Sequence, residues 1–166
     1  SFNIDAFLSD NLLLWKGNLY HGSTLLTSTL HQTDYTVDST SYSEGATDFQ
    51  IVAEDRAGNT DEHTVSVVID NTAPTVQITF PWDGEVVTSS FSLRWNQSDS
   101  VGFCDDVYTA KIIVGGIEYA DAFNDRGQYP ININNRPAGN NEIRVVVTDC
   151  AGHQSSHSIT VNFSPN

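Results

Sequence analysis

The chain has 166 residues, 39% hydrophobic and 17% charged, which is enough apolar material for a folded core and too little charge for a solvated tail. Its 7 basic and 21 acidic residues leave a formal charge of −14, which argues against nucleic acid and anionic membranes as partners. No apolar run approaches the ~18 residues that span a bilayer. Ser1 opens no signal-peptide pattern, so the chain reads as a mature product or, preferably, an excised piece of a longer protein.

Taken from the N-terminus, Phe2 to Phe7 either supplies the opening strand of a first domain or that strand is missing. Leu13 and Trp15 fall on an early strand and match Leu93 and Trp95 further along. Phe49, Ile51 and Ala53 alternate with Gln50, Val52 and Glu54, and Val65, Val67 and Ile69 alternate with Thr64, Ser66 and Val68. Period two with one apolar face predicts two strands, each packed on one side. Between them, Asp55-Arg56-Ala57-Gly58-Asn59 predicts a tight turn in which Gly58 takes positive φ. A short linker, Asp70 to Pro74, follows, and Pro74 restricts Ala73 as well as itself.

Beyond the linker, Val76, Ile78 and Phe80 form an opening strand that ends in a Pro81-Trp82-Asp83-Gly84 turn. A hairpin runs from Lys111 through Gly115-Gly116 to Ala120, and Ile131 and Ile133 mark another strand. Ile143, Val145 and Val147, then Ile159, Val161 and Phe163, repeat the alternation of the first domain. The segment from Glu44 to Asn59 aligns without gaps on Ala138 to His153, an offset of 94 residues at which Gly, Val, Asp, Ala-Gly and a later His coincide. A period this long predicts two whole domains, 1–73 and 74–166, rather than a solenoid. About seven short strands per unit, with no helical period, predict an all-β chain of two tandem immunoglobulin-like β-sandwich domains. The first carries 2 basic and 11 acidic residues and the second 5 and 10, so both are acidic.

The run Val52 to Asn59, then Val65 to Ile69 and Asp70-Asn71-Thr72-Ala73-Pro74-Thr75-Val76, resembles the Ig-like repeat domains of large bacterial adhesins and secreted hydrolases. It is also similar to the cadherin pattern of an Ala-x-Asp-x-Gly turn before an Asp-rich linker. The likeness covers the last two strands of each domain and the linker, roughly a third of the chain, and departs where the linker lacks a second Asp-Asn pair. It implies an extracellular or cell-surface repeat module, with other domains of the same polypeptide, or a cell-surface protein or glycan, as partners.

Strand direction, if both domains share it, gathers Asp70, Asn71, Asp99, Asp105, Asp106, Asp149 and Glu44 near the domain junction. Calcium takes about six to eight oxygen ligands in irregular geometry, so these residues are candidate calcium ligands; the alternative is ordinary turn-forming acids in water. Cys104 and Cys150 are the only cysteines. In an oxidising compartment they would form a disulfide closing a loop of about 46 residues, worth about 4 kcal/mol; otherwise they are two buried thiols.

His21, His31, His63, His153 and His157 carry no metal-site spacing, because His153 and His157 fall on a turn and a strand rather than a helix. Trp15 and Trp95 read as core, whereas Trp82 is the candidate for glycan binding. No nucleophile motif appears, so the expectation is a non-catalytic spacer or adhesive segment; the alternative is an accessory carbohydrate-binding or scaffolding module of a secreted hydrolase.

Overall fold

A computed structural model describes residues 1–6, 8, 14–30, 34–101, 109–120 and 127–165. The chain divides into two compact units, Ser1–Asn71 and Thr72–Asn166. Each is built almost wholly of strands in immunoglobulin-like sandwich order.

In the first unit, β1 (Phe2–Asp5) pairs with β4 (Asp34–Val37) as one sheet. The facing sheet has the order β3-β2-β5-β6, with β2 at Leu14–His21, β3 at Thr24–Thr29, β5 at Gly45–Asp55 and β6 at Thr60–Ile69. Alternation does what the pattern requires: Ile4, Tyr35 and Val37 point in from one sheet, and Leu19, Phe49 and Ile51 from the other. Phe49 sits at the centre, with the rings of Phe2 and Tyr42 edge-on at 5.9 and 5.2 Å. Glycine at position 17 of β2 is dictated by Tyr35, since any Cβ there would collide with the phenol oxygen.

In the second unit, β7 (Thr75–Phe80), β9 (Phe91–Ser98) and β12 (Gln128–Ile131) form a sheet of order β12-β9-β7. Opposite lies β11-β10-β13-β14-β8. Here β8 is Val86–Val87, β10 Thr109–Val114, β11 Ile117–Ala120, β13 Gly139–Thr148 and β14 Gln154–Phe163. β13 and β14 pair over ten residues, and short β8 adds to β14 in parallel. Leu93, Trp95, Ile112, Ile143, Val145, Val161 and Phe163 fill the space between the sheets. Buried Trp95 places its indole N–H 2.9 Å from Gln97 Oε1, so the ring is buried with its one polar atom partnered.

Register reveals how the two units correspond. Tyr35 lies opposite Ile4 on the β1–β4 pair as Tyr129 lies opposite Leu93 on β12–β9. Phe2–Asp5 therefore holds the place of β9, and nothing among the described residues of the first unit holds the places of β7 and β8. The proposed equivalence of Trp15 and Trp95 is corrected by the same comparison. Trp15 stands on β2, which pairs with β5 as β10 pairs with β13, whereas Trp95 stands on β9 between β7 and β12. Leu-x-Trp suits any half-buried strand, so the shared spelling identified a strand type rather than a position. Leu13 lies outside the described residues.

Candidate functional site

Most candidate residues stand at strand ends, and the two long hairpins position the acidic ones. In the first unit the turn between β5 and β6 is organised by Asp55. Its Oδ1 accepts the backbone N–H groups of Ala57 and Asn59, both at 2.8 Å, and its Oδ2 accepts the Asn59 side-chain amide at 2.7 Å. Backbone bonds close the turn, Asp55 N–H to Asn59 O at 3.0 Å and Gly58 N–H to Asp55 O at 3.3 Å. The Asn59 amide, followed by the turn's backbone N–H groups, holds the Asp55 carboxyl below its ordinary pKa because all of them favour the anion.

The turn between β13 and β14 repeats this construction around Asp149. Asp149 N–H reaches His153 O at 3.0 Å and Gly152 N–H reaches Asp149 O at 3.3 Å. Asp149 Oδ1 accepts the His153 backbone N–H at 2.8 Å, and Oδ2 lies 3.1 Å from His153 Nδ1. Gly58 and Gly152 sit at φ +88° and +90°, a conformation open to glycine at little cost. The copies differ in burial and in the side chain that closes the turn. Asp149 is buried at 4% exposure, and an imidazole replaces the amide of Asn59. His153 is thus a turn-holding residue, a role signalled in the sequence only by its place four residues after a repeated Asp.

Other candidates have local duties as well. Glu44 Oε1 accepts the Asn71 backbone N–H at 3.0 Å, and Asn71 Nδ2 donates to Ser39 O at 3.0 Å, so this pair ties the end of β6 to the start of β5. Asp70 is half-buried at that same end of the first unit. Asp99, just past β9, accepts the Val101 N–H at 3.0 Å. Cys104, Asp105 and Asp106 lie outside the described residues. Cys150 occupies the turn beside Asp149, and no free thiol occurs among the described residues.

Trp82 is 71% exposed, at the tip of a turn fastened to β14: Asp83 Oδ1 accepts the Thr160 N–H at 2.8 Å and Gly84 N–H donates to Thr160 O at 2.7 Å. The indole is therefore displayed from an anchored base. His21 packs its ring on Tyr42 and Phe49, and His157 Nδ1 accepts the Ile78 N–H at 3.3 Å, so both imidazoles serve packing and pairing. His63 is exposed on β6, and His31 lies outside the described residues.

No protein-family profile and no curated protein matches the chain. Solved structures do resemble it. The fibronectin(III)-like modules of CbhA from Clostridium thermocellum align with a TM-score of 0.59 at 21% identity, over 98% of this chain and 85% of that one. A calcium-stabilised, ice-binding adhesin of an Antarctic bacterium aligns at 15% identity over 99% of this chain and 43% of its own, with a TM-score of only 0.41. The first likeness bears on fold alone, and it supports the immunoglobulin- or fibronectin-like sandwich derived above. No catalytic family is indicated. Among the described residues no helix is long and apolar enough to cross a membrane.

Proposed function

We propose that the chain is a non-catalytic spacer or adhesive segment of a larger surface or secreted protein, acting outside the cytoplasm. The observation that carries this reading is the duplication of one sandwich down to the hydrogen bonds of its last turn, Asp55 to Asn59 and Asp149 to His153. Acidic residues of this kind spend their acceptors on backbone N–H groups, so their work is to hold loops at the ends of beads. Repeated beads with a short Asp70-to-Pro74 linker give reach with limited bending, since Pro74 restricts the conformations open to Ala73.

Calcium belongs to this reading as a stiffener. The donor set of Glu44, Asp70, Asn71, Asp99, Asp105, Asp106 and Asp149 is made entirely of oxygens, as a hard cation requires, and a carboxylate oxygen that accepts one N–H retains a lone pair for a metal. Calorimetric titration of calcium into chelator-stripped protein should release heat and raise the melting temperature, and Asp149→Asn with Asp99→Asn should abolish both. No heat at millimolar calcium would remove the ion and leave the spacer reading intact. A disulfide between Cys104 and Cys150 is the second stiffener, and intact mass with and without reductant should differ by two hydrogen atoms, because reduction adds two electrons and two protons.

Trp82 favours the alternative, an accessory module that binds polysaccharide, because it is an exposed aromatic on an anchored turn. On a glycan array the spacer reading expects no signal. Binding that disappears with Trp82→Ala would replace it with the carbohydrate reading.

A further inference from the structure

In the sheet of order β3-β2-β5-β6, β3 is a margin that pairs only with β2 among the described residues. In the second unit β11 holds the same marginal place beside β10, so this open edge belongs to the sandwich pattern of both units. Such an edge presents a row of backbone donors and acceptors, and most proteins blunt it. Other edges of this chain are blunted. β1, β4 and β6 carry Asp5, Asp34, Asp61 and Glu62, and β1 and β6 flank an apolar cleft of about 510 Å³ lined by Val65 and Val67. β11 carries Glu118, ion-paired with Lys111 at 3.0 Å. β12 contains Pro130, and the Ile78 N–H of β7 is taken by His157.

β3 has neither charge nor proline. Its run, from Lys16 to Asp34, holds no Asp, Glu, Lys or Arg between those two residues, in a chain with 21 acidic and 7 basic ones. Its one interruption is an extra residue at Leu26, since Leu19 faces Thr27 and Tyr20 faces Leu25. No further shift occurs from Thr27 to Thr29, and exposure alternates there. Leu26, Ser28 and Leu30 are exposed, and Thr27 and Thr29 are half-buried. Leu26 at 38% and Leu30 at 61% thus stand on one face, two positions either side of Ser28.

We propose that the β3 edge pairs with the same edge of a second copy of this chain, antiparallel about a two-fold axis at Ser28. Under that operation the strand is its own complement: Leu26 of each copy faces Leu30 of the other, and Thr27 faces Thr29. The leucine pairs cover exposed apolar side chains, and threonine pairs are favourable across strands. A two-fold contact sets each patch against itself, so in a chain of net charge −14 it forms where charge is absent. The edge also offers no charge with which to select an oppositely charged protein, whereas a second copy supplies a strand of matching chemistry. Pairing joins two four-stranded sheets edge to edge. It adds lateral contact between molecules to the spacer role and stands whether or not that role holds.

The test is sedimentation equilibrium of the full chain at concentrations up to about 1 mM, the range of weak specific pairs. Monomer and dimer are expected and nothing larger, because a two-fold contact closes on itself. Ser28→Lys sets two lysines opposite each other at the axis and should weaken pairing at least tenfold. Leu26→Lys alone and Leu30→Glu alone should each weaken it at least threefold. Combined in one chain they should restore it, since each introduced lysine then faces an introduced glutamate, which occurs only in the register centred on Ser28. All three positions are exposed, and melting curves of dilute protein check that each variant folds. Hydrogen exchange should slow with concentration at residues 26–30 and remain unchanged along β11. A chain that stays monomeric throughout overturns the proposal and leaves the edge to a strand of a different protein. Dimerisation indifferent to Ser28→Lys, a double variant no tighter than the single ones, or protection of another edge in place of β3 also overturns it.

Discussion

β6 and β14 have the same length, the same partner geometry and the same inward alternation, yet they differ in what their apolar face meets. Val161 and Phe163 are sealed at 0% and 1% exposure, whereas Val65 and Val67 on β6 border an open cleft. A strand's pattern therefore states which face is meant to be covered, and the neighbouring strands decide whether it is. The largest expected effect tests this directly. Val161→Ala should destabilise the second unit by about 2–3 kcal/mol, a lost transfer term plus a cavity. Val67→Ala should cost the first unit less than about 1 kcal/mol, because its side chain has less burial to lose. Urea unfolding read by hydrogen exchange of peptides from each unit separates the two. Equal costs would mean that the cleft is closed in solution.

The two turns give a second, smaller contrast. Asp149 is buried and bonded to both the backbone and the ring of His153, so Asp149→Ala strands the His153 N–H without its acceptor and should cost about 1–3 kcal/mol. Asp55→Ala removes three bonds against two for Asp149, but from a more accessible turn, where water replaces the carboxylate, and should cost less. Exchange rates of the Gly152 and Gly58 amides report each turn. The comparison fails if the exposed turn proves the more sensitive.

Much of this fold was legible because strands packed on one face record their orientation every second residue. Phe49, Ile51, Ile143 and Val145 announced theirs, and Gly58 and Gly152 fixed the hairpins between strands by the positive φ they adopt. The 94-residue offset carried this from one unit to the other. Where the offset did not reach, local spelling misled: Trp15 and Trp95 share a motif and occupy different strands of the sandwich. The β1–β6 cleft was illegible for a different reason. Val65 and Val67 look the same in sequence whether or not a strand covers them, because burial is a property of the neighbour. The bond from His153 to Asp149 was illegible because it depends on how the turn folds back, and a His four residues after an Asp does not specify that.

Acid should bring out the smallest contrast, and its sign follows from the bonds. Asp55 is held below its ordinary pKa chiefly by the Asn59 amide, and Asp38 chiefly by the Thr40 hydroxyl, and both belong to the first unit. A carboxyl whose folded pKa is depressed contributes stability above its unfolded pKa, about 3.9 for aspartate, and loses it as pH falls through the lower folded value. Both side chains are open to solvent, so salt weakens the contribution. Lowering the pH from 6 to 3 should therefore cost the first unit a small, salt-sensitive stability through these two groups. Asp55→Asn keeps the turn's shape but cannot ionise, and it should flatten that part of the acid slope while lowering stability at pH 6. Melting curves recorded at several pH values with both proteins make the comparison. An unchanged slope in the Asn variant would mean that the Asp55 hydrogen bonds persist in the unfolded chain and contribute nothing to the acid response.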